Sequence, residues 1–156
     1  MAKATLRNTG KFKALAQRLR LPSASFVQGL LEALWDSAHA RISPLVGDMD
    51  AIEAAAEWPY DRGVFARAVI EIGFVDEIVP NLYAVHDYYD HAPEWVKKRL
   101  SRRVQEDASV SPETCWLPRE VFTRLVALAG GRPANFLDAG GGSKAEEVVD
   151  ALTVLL

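Results

Sequence analysis

Residues 86–91, His-Asp-Tyr-Tyr-Asp-His, bring two imidazoles and two carboxylates within six positions. Both side-chain types ligate metals, so an ion site is the chemistry to weigh first. Tyr88, Tyr89 and the nearby Trp95 point instead to a polar corner where a strand runs into a helix, and that account needs no ion. Cys115 is the single cysteine, has no histidine near it in sequence and is followed by Trp116, which fits a buried thiol. Gly140-Gly141-Gly142 stand before a helix start, a place where phosphate can bind. No lysine–serine ending closes that loop and no strand leads into it, so a flexible joint is expected. No serine, histidine and acid combine into a nucleophilic site. The expectation is a chain without an enzyme site, a metal or a cofactor.

Charge gives a stronger signal. The formal net charge is -3, yet the signs are segregated. Residues 1–20 hold six basic side chains (Lys3, Arg7, Lys11, Lys13, Arg18, Arg20) and no acidic one, and KKRLSRR at 97–103 holds five more. Between them, residues 32–94 carry 13 acidic and three basic groups. Binding follows the local field rather than the total, so the two basic segments are candidate polyanion contacts, with solvated helix faces as the plainer explanation.

The elements that must position these residues are legible from periodicity and caps. Thr9 caps a helix over about 10–20 with Phe12, Leu15, Ala16 and Leu19 on one side, and Leu21-Pro22 stops it. Ser23 caps a second over about 24–40, whose wide stripe (Phe26, Val27, Leu30, Leu31, Leu34, Trp35, Ala38) reads as core. Residues 41–47 form an irregular or short extended piece. Asp48 or Asp50 opens a third helix ending near Trp58, with Glu53 in capping-box spacing behind Asp50. After the turn at Pro59-Tyr60-Asp61 comes a fourth helix, about 62–72, closed by Gly73. Two strands, 74–79 and 82–85, flank Pro80-Asn81 as a hairpin. A helix then starts near Pro93, and helical pieces follow at 118–129 and 144–156, the last opened by Ser143 with Glu146. The pattern predicts a mostly α fold with a small β-hairpin wing: a winged helix-turn-helix domain over 1–104, a linker over 105–117 and a short helical C-terminal segment over 118–156.

Three runs carry a resemblance: ALAQRLRLPSASFVQGLLEALWDSAHA, AIEAAAEWPYDRGVFARAVIEIGFVDE and YAVHDYYDHAPEWVKKRLSRR. Over residues 8–103 the chain resembles the N-terminal winged-helix domains of phage-type replication initiators, the replisome organizers related to the DnaD group. The resemblance implies binding at a replication origin, self-association and a replication-protein partner. It does not extend past residue 104, where the usual C-terminal domain of that group is not recognised.

In such a fold the second helix of the motif reads the major groove, which makes Arg62, Gly63, Ala66, Arg67 and Ile70 the outward positions. Arg62 and Arg67 would be guanine readers or phosphate clamps, or simply solvated, with Glu71 four residues from Arg67. Lys97, Lys98, Arg99, Arg102 and Arg103 would neutralise phosphates, joined by Lys11, Lys13 and Arg18 if the terminal helices lie side by side. The expected function is therefore duplex-DNA binding in replication or transcriptional control. The alternative is a protein-interaction module, whose last helix (Val148, Val149, Leu152, Leu155, Leu156) docks on the core or on a second copy. No apolar stretch reaches the roughly 18–20 residues of a membrane span, so a cytoplasmic location without membrane contact is expected.

Overall fold

The computed structural model describes residues 6–106, 110, 114–128 and 145–156. A short 3-10 turn, Leu6–Asn8, leads into α1 (Gly10–Leu19) and α2 (Ala24–Arg41). The Thr9 and Ser23 hydroxyls accept the Phe12 and Phe26 backbone N–H groups, so both expected N-caps are present. The piece read as irregular or short extended contains a strand, β1 (Leu45–Gly47), which pairs antiparallel with the second strand of the wing. Short strands with no alternation are hard to read, and all three residues of β1 are buried.

The helix-turn-helix follows as α3 (Met49–Ala55) and α4 (Val64–Ile72). Asp48 caps α3 by accepting the Ala51 N–H at 2.9 Å. Glu53 is not part of a capping box. Its carboxylate crosses to the next helix and accepts from the backbone N–H groups of Gly63, Phe65 and Ala66 at 2.7, 3.0 and 3.2 Å. Gly63, the N-cap of α4, has no side chain to do this, so Glu53 supplies from another helix the anion that this N-terminus favours. Gly73 ends α4 at φ 85°, a left-handed conformation that glycine adopts without strain.

β2 (Val75–Val79) and β3 (Leu82–Val85) form the wing, and the sheet order is β1-β3-β2. A single helical turn not anticipated from the sequence, α5 (Tyr88–His91), precedes α6 (Glu94–Glu106); α7 (Arg119–Leu128) and α8 (Ala145–Thr153) complete the chain. The fold is mostly α with a small β wing, a winged helix-turn-helix followed by a short helical segment.

One apolar cluster runs through it. Phe12, Leu15, Leu31, Leu34, Leu45, Ile52 and Phe65 are fully buried, each contributing about 1.5–3 kcal/mol of transfer free energy. Val110, Cys115 and Leu117, from the stretch read as a linker, are buried in the same cluster. So are Ala151 and Leu152 of α8, which packs against β2. Phe26, assigned to the core stripe of α2, is 38% exposed and lies 6.2 Å, ring to ring, from Tyr60. Ser143 and the Gly140–Gly142 stretch lie outside the described residues.

Candidate functional site

A cavity of about 540 Å³ opens where α1, α2, the start of the wing and the α5–α6 corner meet. Its depth comes from packing. α2 presents Glu32, Trp35, Asp36 and His39 along one side at helical spacing, and Gly73-Phe74 close the end between α4 and β2. The opposite wall is the corner itself, His86 to Asp90, with His91, Pro93, Glu94 and Lys97 beyond it. Trp35 and Phe74 rings stand 6.3 Å apart at 57°, and His39 and Tyr88 rings 5.7 Å apart at 38°. Two tilted aromatic pairs thus line one groove, within the separations at which rings attract.

The polar groups of the groove are unevenly satisfied. Tyr88 is buried and its hydroxyl donates to the Ala38 carbonyl at 3.4 Å; burial raises its pKa well above the ordinary value. His86 has a carboxylate at each ring nitrogen, Asp76 2.6 Å from Nδ1 and Asp87 3.1 Å from Nε2. Neither nitrogen is left open to a metal, and among the described residues no group of three or more His, Cys, Asp or Glu side chains is placed to hold an ion. Asp87 itself turns the corner at φ 48°, a left-handed conformation in which aspartate is enriched.

His39 is different. Its Nδ1 is buried without a hydrogen-bond partner among the described residues, and a carboxylate oxygen of Asp36 lies 4.0 Å away, beyond hydrogen-bond reach. Burial lowers its pKa below the ordinary 6.5, with Asp36 pulling the other way. Both lysines of the groove are occupied: Lys11 Nζ donates to the Gly73 carbonyl at 3.1 Å and Lys97 Nζ to the Asp90 carbonyl at 2.8 Å. The carboxylates of Asp90 and Glu94 make no hydrogen bond or ion pair among the described residues.

The residues chosen from sequence as a basic contact surface are only partly brought together. Lys11 and Lys97 do reach the same groove from α1 and α6. Arg18 is paired with Glu71 at 2.7 Å, which lays α1 along α4. Arg62 forks onto both oxygens of Asp50, an exposed pair in which the neighbouring guanidinium holds the carboxyl below its usual range. Arg103 donates to the Cys115 carbonyl at 3.3 Å. Lys13, Arg67, Lys98, Arg99 and Arg102 are exposed. The expected reading face is not free either: Ala66 is fully buried and Ile70 half-buried, on a helix packed against α1, α3 and β2.

Sequence reasoning found the His86–His91 corner but missed the wall facing it. Trp35 was assigned to the core, and Glu32, Asp36 and His39 drew no attention. The available signal was their spacing: residues 32, 35, 36 and 39 share one helical face, where charge borders an otherwise apolar stripe.

No family model matches the chain, and no solved structure matches it. Among curated proteins it is similar to the succinate–CoA ligase (ADP-forming) subunit beta of Paraburkholderia phytofirmans and of Paraburkholderia xenovorans, 29% identical over 155 residues in each case. The subunit of the same name from Bordetella pertussis matches at the same identity. These alignments cover 91% of this chain and 37% of each relative, so the chain spans little more than a third of the length of the curated relatives it matches.

These names correct the expected function. They belong to a metabolic ligase subunit, not to a protein of DNA replication or transcription, and they overturn the expectation of duplex DNA and a replication protein as partners. In the structure Arg18, Arg62 and Arg103 are engaged within the chain, while Lys13, Arg67, Lys98, Arg99 and Arg102 are exposed. Of the two outcomes expected for the C-terminal helix, docking on the core or on a second copy, the first is seen: Ala151 and Leu152 are buried within its own chain. On enzyme character, the finding is a similarity to enzyme subunits at low identity. No described helix is long and apolar enough to cross a membrane.

Proposed function

We propose that this chain is a cytoplasmic small-molecule-binding module of a protein related to metabolic acid–CoA ligase subunits, and that the aromatic-walled groove is its binding site. One observation carries the reading: the groove of about 540 Å³ combines two aromatic pairs with the carboxylates of Asp90 and Glu94, which make no hydrogen bond or ion pair among the described residues. Ligand sites have this character, apolar walls with a few polar groups that fix orientation. The size lies within the range of small-molecule pockets, roughly 300–1,000 Å³. Similarity to a succinate–CoA ligase beta subunit over 91% of the chain supports a metabolic setting. The reading assigns binding rather than turnover to this module. Supplied with ATP, succinate and CoA, the chain alone is expected to form no ADP; steady ADP release would place catalysis in this segment.

Ligand-observed NMR with a library of small organic fragments tests the binding site. The expected result is a set of binders whose signal is lost in a folded Trp35→Leu variant. A folded wild-type protein that retains none of them would overturn the reading.

A further inference from the structure

The identity of the ligand's head group follows from the charges around the groove, given that the groove is a binding site. Its lining includes five carboxylates, Glu32, Asp36, Asp87, Asp90 and Glu94, against two lysines. Each lysine ammonium gives one of its three N–H groups to a backbone carbonyl, and the exposed Asp90 and Glu94 carboxylates make no hydrogen bond or ion pair among the described residues. A dicarboxylate or a nucleotide would enter a field of net negative charge there and lose hydration that two partly engaged ammonium groups replace only in part. An organic cation would meet the opposite situation, with carboxylates at the rim and the faces of Trp35, Phe74 and Tyr88 within.

We infer that the groove binds a small organic monocation, a primary amine on an aromatic or aliphatic body, with the ammonium held by Asp90 and Glu94 and the body between the Trp35–Phe74 and His39–Tyr88 pairs. Such a ligand satisfies the two free carboxylates and fills the apolar depth at once. The surface pair would be screened by salt, while the buried body would not. Affinity should therefore fall with salt but not vanish.

A shape-matched pair of probes decides this. Isothermal titration of the full chain with phenethylammonium and with 3-phenylpropionate compares one body carrying opposite charges. Phenethylammonium is expected to bind at least about tenfold more tightly, the scale of one or two charge contacts. Asp90→Asn with Glu94→Gln should lower its affinity about tenfold and erase the preference, with folding checked by circular dichroism. Equal or tighter binding of phenylpropionate, lost in Trp35→Leu, would overturn the cation assignment and leave the groove as a site. Binding of phenethylammonium that ignores both sets of substitutions would also overturn it. If neither probe nor any fragment binds the folded chain, the site itself fails.

Discussion

Glu53 and His39 are both largely buried polar side chains near a helix end, and the protein treats them in opposite ways. Glu53 is 8% exposed and spends its carboxylate on three backbone donors of α4, so its burial is offset by charge-assisted hydrogen bonds. His39 has a buried ring nitrogen with no hydrogen-bond partner among the described residues, on the wall of a groove where the Asp90 and Glu94 carboxylates make no hydrogen bond among them either. A polar group that the fold needs is satisfied by the fold. One left unsatisfied beside a cavity is better explained by something outside the chain, and this contrast separates the helix-turn-helix, which is scaffold here, from the groove, which is the site.

The contrast is tested first where the scaffold is most densely packed. Phe65 is fully buried and stacks on Trp58 with ring centroids 5.5 Å apart. Phe65→Ala is expected to lower the urea-unfolding free energy by about 4 kcal/mol, the usual cost of an emptied aromatic site. Glu53→Ala should cost about 3 kcal/mol, since three N–H groups lose their acceptor at once, and Glu53→Gln roughly half as much. A loss below 1 kcal/mol for Glu53→Ala would show that the cap carries no weight.

On the groove side the expected effects are smaller and depend on conditions. Because the folded His39 pKa lies below the ordinary 6.5, the unfolded chain takes up this proton first as the pH falls. Stability is then full above about pH 6.5 and declines below it, until the folded imidazole titrates too. A His39→Leu variant should lack that portion of the decline in thermal melts between pH 7 and 5; parallel curves for the two proteins would contradict it. Smallest of all, Asp90→Asn and Glu94→Gln should leave stability within about 0.5 kcal/mol of wild type in urea titrations, because they take part in binding and not in folding.

Much of the scaffold was legible in the residues themselves. Thr9, Ser23 and Asp48 announce helix starts by their hydroxyls or carboxylate, and Gly73 announces an end, since each acts within a few residues of its own position. Glu53 shows the limit. Its spacing from Asp50 suggested a local capping box, whereas its partners sit ten or more residues away, across a turn whose geometry no periodicity encodes. The groove was harder still. The corner at 86–91 stood out by composition, but its opposite wall, Trp35 to His39, lies about fifty residues earlier, and the contact of α2 with α5 makes the two face each other. The basic clusters misled for a related reason. Counting Arg18 and Arg62 says nothing of Glu71 and Asp50, the acids that the fold brings to them.

The most direct test is residue-resolved NMR of the full chain titrated with phenethylammonium. Saturable backbone and ring shifts that converge on Trp35, His39, Phe74, Tyr88, Asp90 and Glu94, with the Glu53–α4 junction unmoved, are the predicted result. Shifts gathered instead around the exposed Phe26–Tyr60 pair, or an absence of shifts in a folded sample at millimolar probe, would contradict the assignment of the groove as the binding site.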